Sequence, residues 1–178
     1  MSPEPVTTDR LLLRAWTPDD AEALLATYAH PEVWPYLGST PAPCPDLEAA
    51  RARAERWSTL GEGPLGIWAV ETPGVPDLPV QPAGSALLVT LPRTDGRDSD
   101  AVEVGWALHP SAWGRGIATE AARALVERAR EAGLERVHAV VYAGNARSMA
   151  VCDRLGMTRL GPTTQWYGTT FVDHVLDL

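Results

Sequence analysis

The chain has 178 residues, the length of one ordinary domain, and 45% of them are apolar, enough to bury a sizeable core. All 15 basic residues are arginine, and against 23 acidic residues they leave a formal charge of −8. The absence of lysine excludes a Walker A phosphate lysine, a pyridoxal Schiff base and a lysine nucleophile, and the acidic balance argues against a nucleic-acid partner.

In chain order, Leu11-Leu12-Leu13 predicts a strand, closed by Thr17-Pro18. Thr17 suits an N-cap and Pro18 the first helical position, so a helix follows to about Ala29. A second helix is expected from Asp46 to Leu60, and strands at 65–71, 83–91 and 101–108. The Pro-rich run Pro73 to Pro82 and the polar run Arg93 to Asp100 read as loops between those strands. Ile117, Ala121, Ala124, Leu125, Ala129 and Ala132 recur at helical spacing, so a long helix spans about 116–132 and ends at Gly133. A buried-type strand at Val137 to Tyr142, a short helix at Arg147 to Leu155 and two closing strands complete a β-α-α-β-β-β-α-β-α-β-β order. That order is a single mixed α/β domain over residues 1–178.

Cys44 and Cys152 stand far apart without a CxxC pair or a His at metal spacing, so neither zinc nor a disulfide framework is expected. The first residues show no basic stretch followed by an apolar one, and no apolar run nears the roughly 20 residues that span a bilayer. A cytoplasmic setting without membrane association is expected; a homodimer is left open.

The chemistry concentrates between Val102 and Ala121, where a strand runs through a two-glycine turn into a helix. Helix N-termini carry unpaired N–H groups and the positive dipole end, so such a junction suits a phosphate or pyrophosphate. Gly114 and Gly116 let the backbone approach a ligand, Arg115 supplies charge, and Trp113 can wall the turn. A dinucleotide site fits less well, because the third glycine of its fingerprint is Thr119 here. Glycines needed for packing alone remain a third reading.

Trp113-Gly114-Arg115-Gly116-Ile117-Ala118 resembles motif A of the GCN5-related N-acetyltransferase (GNAT) superfamily, with Trp where Gln or Arg is usual. Asn145-Ala146-Arg147-Ser148, followed by Leu155-Gly156-Met157, is similar to motif B of its RimJ/RimL branch. Arg10-Leu11-Leu12-Leu13-Arg14 and His30-Pro31-Glu32-Val33 match that branch's opening. The resemblance implies a central mixed, mostly antiparallel sheet with helices on both faces, splayed between two parallel strands. It implies acetyl-CoA as co-substrate, an amine acceptor, direct transfer in a ternary complex, and no metal.

Carried onto this sequence, the resemblance has the amides of Gly114, Arg115, Gly116, Ile117, Ala118 and Thr119 hold the pyrophosphate. The pantetheine arm would lie along the strand near Leu108, with Asn145 on its other side. The Tyr that often protonates the leaving thiolate stands here as Cys152, and Ser148 is the branch's alternative donor. Alternation sets Glu103 with Gly105 and Ala107 on one strand face, where its carboxylate can accept a proton through water or pair with an arginine. Trp34 and Tyr142 are candidates to line the acceptor cleft, and His138 shares a face with Tyr142. A non-catalytic acyl-CoA-binding protein of the same fold is the alternative from another class.

Overall fold

The computed structural model describes residues 1–178. In chain order the elements are β1 (Val6–Thr7), β2 (Leu12–Ala15), α1 (Ala21–Tyr28), α2 (Leu47–Ser58), β3 (Gly66–Glu71), β4 (Gly84–Thr90) and β5 (Val102–Leu108). They continue with α3 (Ile117–Glu131), β6 (Arg136–Val141), α4 (Ala146–Leu155), β7 (Thr158–Thr163) and β8 (Phe171–Asp177). Every expected helix and strand is present, most ends displaced by a residue or two; α1 begins three residues after Pro18, because Pro18–Asp20 form a separate 3₁₀ turn. The two-residue β1 was not expected, because so short an edge pairing has no hydrophobic period to read.

One eight-stranded sheet runs in the order β1-β2-β3-β4-β5-β6-β8-β7. All neighbouring pairs are antiparallel except β5 and β6. Alternation sorts the side chains of β5 as expected. Val102, Val104 and Leu108 join Ile117, Ala121, Leu125 and Ala129 of α3 in the larger core, which also takes Cys152 of α4. Ala107 faces the opposite layer, where α1 and α2 pack through Leu24, Tyr28, Ala50 and Ala54. The helices therefore cover both faces. Leu125 is fully buried, so its truncation to alanine costs about 2–5 kcal/mol.

The entry to α1 is fixed by charge rather than by periodicity. Asp20 accepts from Thr17 N–H and from two nitrogens of Arg14, each at 2.8 Å, and Arg14 also reaches Glu71 of β3 at 2.7 Å. Burial opposes ionisation of Asp20, but the Arg14 guanidinium and the Thr17 bonds hold its carboxyl below the usual range. No helix is long and apolar enough to cross a membrane.

The feature that positions the site is a parting of the sheet. β5 pairs with β4 through all seven residues from Val102 to Leu108. Its register with β6 is confined to Glu103 opposite His138, while β6 turns to β8 and pairs with it from Arg136 to Val141. Beyond Glu103 the parallel strands diverge, and the β6-facing edge of Gly105 to Leu108 has no strand partner.

Candidate active site

The parting opens toward the glycine turn. Gly114 and Gly116 adopt φ of +73° and +78°, a left-handed conformation that glycine takes without a Cβ penalty. A Cβ at Gly114 would meet nothing within 4 Å, so the turn faces open space. Gly116 is the N-cap of α3 and no side chain caps it. Glu120 N–H closes the first turn on Gly116 O at 3.0 Å, which leaves the N–H groups of Ile117, Ala118 and Thr119 without helical acceptors. The Ile117 and Thr119 side chains are buried, so these residues offer only backbone to a ligand. Arg115 is exposed, and its carbonyl accepts from Arg10 at 3.0 Å.

Trp113 closes one side of the turn. Its indole N–H donates to Leu108 O at 3.0 Å, so one lone pair of that carbonyl is already used. The Arg147 guanidinium lies 4.3 Å from the Trp113 ring centroid and 3.8 Å from Glu32. A single arginine of α4 thus spans from the turn to the segment after α1. Cation–π stacking of this kind is worth about 0.5–1 kcal/mol at an exposed site.

α4 carries the second motif. Asn145 is its N-cap and accepts from Ser148 N–H at 3.2 Å, which commits its carbonyl oxygen and leaves its NH₂ group available. Ser148 lies half-buried in the first turn. Cys152, one turn on, is fully buried in the core, and burial followed by the nearby Asp153 charge pushes its thiol up to about 12.

On the face opposite α3, β5, β6 and β8 bring together a cluster of polar groups. Glu103 accepts from the Tyr167 hydroxyl at 2.6 Å; its partner is this phenol and not an arginine. His138 Nδ1 lies 3.0 Å from Asp173 Oδ1, and Trp166 N–H donates to Asp173 Oδ2 at 3.1 Å. Burial raises the Glu103 carboxyl to about 7; the Tyr167 bond and His138 pull it down, and the Asp173 charge pushes it further up. A carboxyl poised there exchanges protons near neutrality, the property a general base needs.

The acceptor-side candidates meet at one rim. Tyr142 donates its hydroxyl to Gly38 O at 2.8 Å and lies 4.7 Å from the Phe171 ring. Gly38 follows the 3₁₀ turn Trp34–Tyr36, and Tyr36 approaches Gly144. The half-buried Trp34 is therefore on the segment that Tyr142 tethers. No group of three or more His, Cys, Asp and Glu stands where it could hold a metal ion.

Tyr167, Asp173, Arg10 and Arg147 were not singled out from the sequence. Asp173 had a legible signal: like Glu103, it is a carboxylate inside an apolar strand, Phe171-Val172-Asp173-His174-Val175. Arg10 and Arg147 stood within quoted motifs but without a role, and Tyr167 had no signal, because their partners lie far away along the chain.

The family model described as acetyltransferase (GNAT) domain matches residues 10–158. YoaA of Bacillus subtilis, described as an uncharacterized N-acetyltransferase, is 29% identical over 161 residues, covering 89% of this chain and 85% of that protein. The structure of Mycobacterium smegmatis RimJ in complex with CoA-disulfide superposes with a TM-score of 0.77 at 17% identity, covering 98% of this chain and 88% of that one. A RimL ribosomal-protein alpha-N-acetyltransferase has the same fold, with a TM-score of 0.74 at 19% identity over 98% of this chain and 94% of that one. Motifs, sheet topology and family match agree, and the chain belongs to the GNAT acetyltransferase family.

Proposed function

We propose that this acetyltransferase moves the acetyl group of acetyl-CoA directly to a primary amine, on a protein N-terminus or a small molecule, within a ternary complex. The observation that carries the reading is the parted pair β5 and β6, whose unpaired edge leads to a glycine turn and an uncapped helix N-terminus. An amide-bearing arm can lie along that edge near Leu108 with Asn145 on its other side. The pyrophosphate then falls to the amides of Gly114 through Thr119, with Arg115 and Trp113 beside it. The RimJ neighbour, solved with CoA-disulfide, supports a CoA ligand for this fold.

Glu103 takes the proton of the incoming ammonium, directly or through one water. The freed lone pair attacks the thioester carbonyl, the C–N bond forms and the C–S bond breaks. As the C–S bond breaks, the new amide nitrogen releases its extra proton to solvent, Ser148 donates its hydroxyl proton to the departing thiolate, and solvent returns one proton to Ser148. The sulfur is neutral in the bound thioester and anionic only as the bond breaks, so the hydroxyl's contribution belongs to the transition state. Trp34 and Tyr142 line the path of the acceptor.

A second reading, a non-catalytic acyl-CoA-binding protein, draws on one observation: the residue in place of the family's usual tyrosine acid is a buried Cys152 with a raised pKa, unfit to protonate a thiolate. Thiol release from acetyl-CoA, measured across a panel of amines beside CoA affinity, separates the two. Release with at least one amine supports transfer; tight binding with no release for any acceptor supports the binding protein.

A further inference from the structure

Tyr167 has a backbone φ of +56°, a left-handed conformation rare for a residue of its bulk. The preceding strand does not impose it. Two distant loops do, by pinning each other. Tyr167 N–H donates to Pro92 O at 3.0 Å and Gly168 N–H donates to the Thr94 hydroxyl at 3.0 Å. Thr94 in turn donates through its N–H to Gln165 O at 2.8 Å and through its hydroxyl to Thr164 O at 2.6 Å. The β4–β5 loop thus holds the β7–β8 loop from both sides of Tyr167, and the phenol reaches back to Glu103 Oε2 at 2.6 Å.

The other oxygen is placed by the same contact. Glu103 Oε1 lies 3.5 Å from where a Cβ on Gly105 would sit, two residues further along the strand in the direction of the opening. We propose that Tyr167 is a positioning residue for Glu103: by holding Oε2 it presents Oε1 over Gly105, toward the point where the strands part and the acceptor amine is delivered. The proposal rests on the reading of Glu103 as the proton acceptor.

The groups that face this carboxyl come from three elements. Tyr167 approaches from the β7–β8 loop, His138 from β6 and Asp173 from β8, while β4 opposes Glu103 with the apolar Val89. Asp173 faces His138 with both oxygens and accepts from Trp166 on one of them, so the hydrogen-bond donor to Glu103 is Tyr167. Burial and the Glu103 charge raise the phenol pKa, so Tyr167 stays a donor throughout the working range. A donor to an ionised carboxylate stabilises the charged form, and its removal leaves burial and Asp173 opposed by His138 alone.

The test is Tyr167→Phe, which keeps the ring against Phe171 and removes only the hydroxyl. Two readouts are compared with the wild type: the ¹³C titration of the Glu103 carboxyl in the whole protein, and the acidic limb of kcat/KM. Both should move upward by about one pH unit, with the CoA dissociation constant unchanged. An unmoved carboxyl in the folded variant overturns the positioning role. A moved carboxyl with an unmoved limb overturns the reading of Glu103 as base, and the proposal with it. Should Tyr167→Phe fail to fold, Thr94→Val keeps the phenol and loosens the loop; a smaller shift of the limb in the same direction is expected, and none overturns the proposal.

Discussion

The Arg10 guanidinium grips Glu120 Oε2 through two nitrogens, at 2.7 and 2.6 Å, and places its third nitrogen on the Arg115 carbonyl at 3.0 Å. Thr8 and the Arg10 backbone N–H occupy the other oxygen of Glu120 at 2.6 and 3.1 Å. The chain before β2 thereby clamps the glycine turn to the first turn of α3, and the clamp is independent of any ligand.

Removing that clamp should loosen the turn without removing a contact to acetyl-CoA. Arg10→Ala is expected to weaken acetyl-CoA binding by about fivefold, close to 1 kcal/mol, and to leave the acceptor KM unchanged. Isothermal titration with CoA and a two-substrate kinetic grid check this. A change confined to the acceptor constant would place Arg10 at the wrong site.

The two glycines of the turn should respond differently. Both hold positive φ, so alanine at either costs about 1 kcal/mol in the backbone. A Cβ at Gly116 also meets the Arg10 guanidinium at 3.3 Å, whereas one at Gly114 meets nothing. Thermal unfolding should therefore show Gly116→Ala as the less stable variant. Valine at either position should weaken CoA binding more than about tenfold, or 1.4 kcal/mol, by filling the space offered to the pyrophosphate.

Ser148 and Cys152 sit one helical turn apart and should separate cleanly. Ser148→Ala is expected to lower kcat about 10²-fold with CoA affinity retained. Cys152→Ala should keep kcat and lose stability, as a packed core residue does. Neither Cys44 nor Cys152 should react with a thiol reagent in the native protein, because both are buried, and both should react after denaturation.

Glu103 makes a prediction about stability as well as rate. Its carboxyl is raised from 4.5 to about 7 in the fold, so between those values the unfolded chain ionises it while the folded chain keeps the proton. The contribution is fully present below pH 4.5 and is lost as pH rises through about 7. Relative to Glu103→Gln, the wild-type Tm should therefore fall as pH rises through this window. A constant difference between the two melting curves from pH 4 to 8 would refute the raised value.

What could be read in the sequence follows the reach of each signal. The α3 face repeats every three or four residues and ends at a glycine, so its buried stripe needs no tertiary information. The glycine turn is also local and was legible, whereas the Asn145 cap of α4, local too, was read only as a ligand contact. The partners of Glu103 were not, because β8 inserts between β6 and β7, and that order is what brings Asp173 beside His138. Tyr167 depends on two loops some 70 residues apart, and Arg10 on a carboxylate 110 residues away. Such pairings are decided by how the sheet closes and leave no period in the chain.

The parting of β5 and β6 also bears on self-association. An unpaired strand edge normally invites a second polypeptide and, with it, aggregation. Here the bare amides lie inside the sheet, flanked by β4 on one side and β6 with β8 on the other, rather than at its rim. A full strand needs about 4.8 Å to each neighbour and room for side chains above and below, and this wedge closes to nothing at Glu103. Only a slender chain carrying its own amides could enter, so this inner edge, unlike the rim strands β1 and β7, is closed to pairing with a second copy.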